Sequence, residues 1–280
     1  MALLLGLCAA FSWAFHDLLV RQISQSTPIL PMLFLVMLSG TAFLFVPAVQ
    51  SATWIELTRQ DAAVACFSGA TFALASLSLY AAFSIGPVRL VAPIIGAYPV
   101  LSMAWAAING AEISGLQWGA VLIVVMGIAM VAAFSTPTES VNGRNRAILY
   151  AALAGIGFAA TFAASQAATG NGAEMPVIFV SRASATITVG ILLIVLLRPP
   201  KVPRAILTRL VAMGFLDASA LALVTLSGTL PHPQLAAVSA SLFGMLTIIL
   251  ARIILREPMN GLQWMAAAIV FCGIGVLGFN

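Results

Sequence analysis

The chain has 280 residues, of which 62% are hydrophobic and 7% charged, with a mean hydropathy of +1.10 and a formal net charge of +4. A soluble domain carries about 25% charged residues, so this composition excludes an ordinary water-soluble enzyme and belongs to a protein of the bilayer. The small positive charge calls for no nucleic-acid partner, and Cys8, Cys66 and Cys272, each inside an apolar run, read as buried thiols that imply neither a disulfide framework nor a metal site.

Ten apolar runs follow one another, at about 2–20, 29–49, 62–84, 89–109, 116–134, 147–168, 175–197, 207–227, 234–254 and 261–279. Each is long enough to cross a hydrocarbon core about 30 Å thick. The first starts at Ala2 with no basic region before it, which reads as a retained span rather than a cleaved signal peptide. Long apolar blocks without strand alternation exclude a lipid-facing barrel. The fold class expected is an all-α integral membrane bundle of ten transmembrane helices.

Polar and aromatic side chains in mid-span mark a pathway, because burying a polar group without a partner costs a few kcal/mol. In chain order, the first helix has Trp13 at its middle and His16 and Asp17 about one turn from its end, where Asp17 reaches Arg21 or Arg252 as a gate or interface pair. The third helix offers Phe72, Ser76 and Tyr80 on one face, and the fourth offers Tyr98, Ser102 and Trp105 at i, i+4 and i+7. Phe158 follows in the sixth helix, Thr225 in the eighth, and Ser239, Phe243 and Thr247 in the ninth. These residues are expected to line a shared cavity; taken singly, each Ser or Thr also fits a bond to its own helix. Arg182 and Asp217 both fall near the midplane of their helices, as a structural ion pair, an anchor for a charged solute, or a proton site.

The chain repeats itself. A shift of 145 positions lays Pro31 on Pro176, Phe34 on Phe179, Gly69 on Gly214, Leu101 on Leu246 and Glu112 on Glu257. One extra residue near Pro258 changes the shift to 146, after which Gly115, Leu116, Gln117 and Trp118 fall on Gly261, Leu262, Gln263 and Trp264. The halves are residues 1–134 and 147–280, joined by 135–146. Five helices per half is an odd number, so the second half enters from the opposite face and the repeats are inverted. That architecture recurs in secondary transporters that work by alternating access.

Ten helices in two halves, the Trp of AAFSWAF, the Gly-Pro and internal prolines of GPVRLVAPIIGAYPV, and the acidic residue ahead of Gln in EPMNGLQW resemble the drug/metabolite transporter superfamily. Within it the chain is similar to ten-helix EamA-type exporters, including bacterial amino-acid exporters. The resemblance implies export of small metabolites, amino acids first; no cofactor is expected, and the oligomeric state stays open, a monomer among the options. A permease for a drug, purine or sugar is the alternative, and a membrane enzyme a weaker one, since no P-loop, HExxH motif or Cys/His cluster is present. Two positions depart from the pattern: Glu112 lies five rather than six steps from Gln117, and Phe158 stands where the first half has Trp13.

Nine basic residues, from Arg21 to Arg256, lie in or beside the odd-numbered loops, against Arg59 on the other side. The positive-inside rule puts the crowded side in the cytoplasm and both termini outside a bacterial-type inner membrane.

Overall fold

A bilayer offers the backbone no hydrogen-bond partners, so each spanning segment has to satisfy its amides internally. In the computed structural model every regular element among the described residues is accordingly helical. The structure describes all residues except 109–111, 113, 135–140, 170, 198, 200, 228, 229, 231–235, 237, 238 and 278–280. The first half holds α1 (Ala2–Ile23), α2 (Ile29–Gln50), α3 (Arg59–Ile85), α4 (Val88–Gly96), α5 (Tyr98–Ile108) and α6 (Gly115–Phe134). The second holds α7 (Val141–Ala168), α8 (Glu174–Val195), α9 (Leu207–Leu226), α10 (Phe243–Leu250) and α11 (Gly261–Leu277).

The fourth span is two helices, α4 and α5, broken at Ala97. Pro99 has no N–H to give back to Ile95, and its ring crowds that carbonyl, so the ladder stops and a new turn begins with Val100 N–H on Ala97 O at 3.0 Å. The ninth span ends in a π-helical turn, Ala251–Leu255, closed by Arg256 in the left-handed conformation at φ 55°.

The doubled phrase GLQW is a helix start. In α6 the Ser114 N–H donates to Gln117 Oε1 at 2.9 Å while Gln117 N–H donates to Ser114 Oγ at 3.3 Å. In α11 Asn260 and Gln263 exchange the same two bonds at 3.0 and 2.8 Å. Each is a reciprocal capping box that satisfies two amides the helix itself leaves open.

Packing carries the repeat as well. The pairs α1–α9 and α3–α7 exchange when the halves are swapped, as do α2–α9 and α3–α8, whereas α2–α8 and α6–α11 map onto themselves. Glycines show the same correspondence at atomic detail. A Cβ at Gly69 would meet the Ser181 carbonyl and Ser184, and one at Gly214 would meet the Val36 carbonyl and Ser39; 36 and 39 become 181 and 184 under the shift of 145. Gly127 against Ile269 and Val270 mirrors Gly273 against Ile123 and Val124. Small residues at such crossings let backbones touch, the main source of cohesion where no hydrophobic effect acts between helices.

Outward faces are apolar: Phe45, Val49, Leu122, Met126, Ile187 and Ile194 are each more than half exposed. Two sequence expectations need correction. All three cysteines are exposed on these outer faces instead of buried, because hydropathy places a residue at membrane depth without saying which side of the helix it occupies. The helix α7 starts at Val141, inside the stretch expected to be connector, because its polar first turns continue the helix beyond the apolar run.

Candidate functional site

A partly open cavity lies where the two halves meet; Trp13, His16 and Asp17 from α1, Ser76, Leu79 and Tyr80 from α3, and Tyr98 from α5 form one side. Phe158 and Phe162 from α7, Asp217 from α9 and Phe243 from α10 form the other. The rings pack against one another: Trp13 stands 5.6 Å from Phe162 and 6.0 Å from Phe243, and Tyr98 stands 5.0 Å from Phe162.

Four acidic or basic groups sit in or directly behind this wall. Arg182, fully buried in α8, donates from one terminal nitrogen to Asp217 Oδ2 at 2.5 Å, and Trp13 Nε1 donates to the other carboxylate oxygen at 3.1 Å. The guanidinium lies over the Phe72 ring, 5.5 Å from its centroid, and fills the space left by Gly40. Its Nε has no hydrogen-bond partner among the described residues. On the facing side Asp17 Oδ1 accepts from His16 Nδ1 at 2.9 Å, and His16 Nε2 meets the Tyr80 hydroxyl at 3.0 Å.

Of the residues expected to line a cavity, Trp13, Ser76, Tyr80, Tyr98, Phe158 and Phe243 do surround it. Phe72 lies one layer behind, with its ring 5.7 Å from Phe158. Thr225 shares a hydrogen bond with Ser165, Thr247 donates to the Phe243 carbonyl of its own helix, and Ser239 donates to the Ala236 carbonyl beside Gly6. The side chain of Ser102 lies outside the described residues. Trp105 is 60% exposed on the outer surface, which corrects its expected inward placement; it shares the helical face of Tyr98 within α5, but two turns further along that face the neighbouring helices no longer cover it.

His16 and Asp17 are placed differently from the end gate expected of them: they line the cavity, and Asp17 bonds to His16 rather than to Arg21. The end is tied by other residues. Arg21 Nε donates to Glu257 Oε1 at 3.0 Å and one of its terminal nitrogens to the Phe83 carbonyl at 2.7 Å. The second Glu257 oxygen accepts the Val88 N–H at the start of α4 at 3.0 Å, and Arg89 donates to the Pro258 carbonyl at 3.0 Å. A carboxylate at a helix N-terminus is favoured by the open amides there. The repeat counterparts of Arg21 and Glu257 are Gln166 and Glu112, which cannot make an ion pair. Glu257 was legible in the sequence only as a marker of the repeat, and Phe162 only as the apolar counterpart of Asp17.

The residues 1–133 and 145–279 each match the model of the EamA-like transporter family. The chain belongs to that family, a family of membrane transporters of small solutes rather than of enzymes. No curated protein matches it. A solved structure, described as "Crystal structure of protein", superposes with a TM-score of 0.70 at 16% identity, covering 98% of this chain and 95% of the other; at that identity the likeness is one of fold.

Proposed function

We propose that the protein exports small metabolites across a bacterial-type inner membrane by alternating access between inverted five-helix halves. The observation that carries this reading is one cavity lined by both halves and flanked by unequal ends, one tied by Arg21, Glu257 and Val88 and the other lacking the matching ion pair. Exchanging the packing of the two halves opens the tied end and closes the other, which is the transport step in inverted-repeat carriers. The loop charges support an orientation with the tied end in the cytoplasm and both termini outside. By resemblance amino acids are the first solute class to test; a permease for another small amphipathic solute is the second reading, favoured by the predominance of rings around the cavity.

The test is purified protein in liposomes offered labelled amino acids, with and without a pH gradient. Protein-dependent movement of at least one is expected. Tyr98→Ala and Phe243→Ala are expected to reduce it while Trp105→Ala, on the outer face, leaves it intact. No protein-dependent flux of any amino acid removes that class, and equal flux in all three variants removes this cavity as the pathway.

A further inference from the structure

The cavity is not chemically symmetric, although its scaffold is. Under the shift of 145, Trp13 corresponds to Phe158, His16 to Thr161, Asp17 to Phe162, Ser76 to Leu221, Tyr80 to Thr225 and Tyr98 to Phe243. The first half therefore contributes the polar wall, with Asp17, His16, Ser76 and Tyr80, and the second half faces it with Phe158, Phe162 and Phe243. One acid of the cavity is already satisfied: both oxygens of Asp217 accept hydrogen bonds, from Trp13 and Arg182. The other is not. Asp17 is 1% exposed, its Oδ1 accepts from His16, and its Oδ2 has no hydrogen-bond partner among the described residues.

A carboxylate is an acceptor only, so His16 Nδ1 carries the proton in that bond, and Nε2 shares the second bond with the Tyr80 hydroxyl. This arrangement satisfies both ring nitrogens and still leaves Asp17 Oδ2 without a donor among the described residues, whereas Asp217 is paired with Arg182. A buried carboxylate oxygen with no donor is costly unless something supplies one. Aromatic faces opposite it attract a cation through their quadrupoles. A solute carboxylate, by contrast, meets no uncommitted basic side chain in the cavity, because Arg182 lies behind the wall and is engaged with Asp217.

We infer that Asp17 is a cation subsite that takes the ammonium group of the solute, with the apolar remainder against Phe158, Phe162 and Phe243, so that amines are bound in preference to zwitterions and acids. The inference rests on the cavity being the solute site. It deepens that reading by naming the group recognised, and it narrows the amino-acid class to amine-bearing molecules whose carboxylate is absent or masked.

Phenethylamine, phenylalanine and 3-phenylpropionate share one ring and differ in charge, so they serve as probes in titration calorimetry on the detergent-solubilised full chain. Phenethylamine is expected to bind about tenfold or more tighter than either of the others. Asp17→Asn is expected to remove about tenfold or more of its affinity, with Asp17→Glu retaining part of it. Thermal unfolding of each variant separates a folding defect from a lost subsite. Equal binding of phenethylamine and 3-phenylpropionate overturns the inference, as does equal binding of phenethylamine and phenylalanine. So does a folded Asp17→Asn chain that binds phenethylamine as the wild type does, or a wild type that binds no amine. Amine binding that depends on Asp17, in a protein that moves no solute into liposomes, would leave the subsite standing and reject the transport reading instead.

Discussion

Replacing Asp217 by Asn leaves Arg182 charged, fully buried and without its counter-ion. Asn keeps an acceptor for Trp13 Nε1, so the change acts mainly on the charge. Breaking one side of a buried ion pair costs about 3–5 kcal/mol. At roughly 2–4 °C per kcal/mol for a chain of this general size, that lowers the apparent Tm by about 6–20 °C. Arg182→Met is expected to lose stability as well, since it leaves the Asp217 carboxylate in the same surroundings. The equivalent positions in the first half are Met37 and Phe72, so the scaffold already accommodates an apolar solution at this crossing. The double change Arg182→Met with Asp217→Asn is therefore expected to recover much of the loss, because removing both charges removes the desolvation cost with them. Thermal unfolding in detergent, read by intrinsic fluorescence as a double-mutant cycle, gives the coupling directly. Losses that simply add would refute the pairing argument. A wild-type Tm for Asp217→Asn together with transport that no longer responds to a pH gradient would make Asp217 a coupling site instead of half of a structural pair.

Gly69→Ala and Gly214→Ala each place a methyl against a fixed carbonyl of the neighbouring helix; each is expected to lower Tm, by similar amounts corresponding to about 1–3 kcal/mol, while Gly275→Ala, with nothing within 4 Å, does not. Unequal losses at the two crossings would argue against matched packing. Glu257→Gln keeps an acceptor for the Val88 N–H but removes the charge facing Arg21, so a Ser24→Cys reporter, buried at 5% exposure in the parent, should be modified several-fold faster by a methanethiosulfonate reagent. An unchanged rate would show that the ion pair does not hold this end closed. In a background with Cys8, Cys66 and Cys272 replaced by Ala, Lys201→Cys should resist an impermeant maleimide in intact cells and Glu56→Cys should react. The reverse pattern would invert the orientation inferred from the loops.

Composition alone decided the solvent of this protein, since 7% charge and a hydropathy of +1.10 leave the chain no stable place except lipid. The order of apolar runs and the repeat of GLQW recorded the order of the apolar helices and their grouping into two family-matched halves, because apolar runs and helix starts are local properties that a linear pattern records. Side-chain direction is less local. Trp13, Tyr98 and Phe243 fell on the cavity, but Trp105 did not, although it shares the face of Tyr98 within α5, because how far along a helix its neighbours cover one face is decided by the packing of the bundle. Partner choice belongs to tertiary structure altogether. Asp17 has Arg21 one turn along its own helix, yet that arginine is drawn to Glu257, 236 positions away in sequence, and Asp17 is left to the cavity. Nothing in the one-dimensional pattern distinguishes those outcomes, because they depend on which helix ends the folded bundle brings within hydrogen-bonding distance.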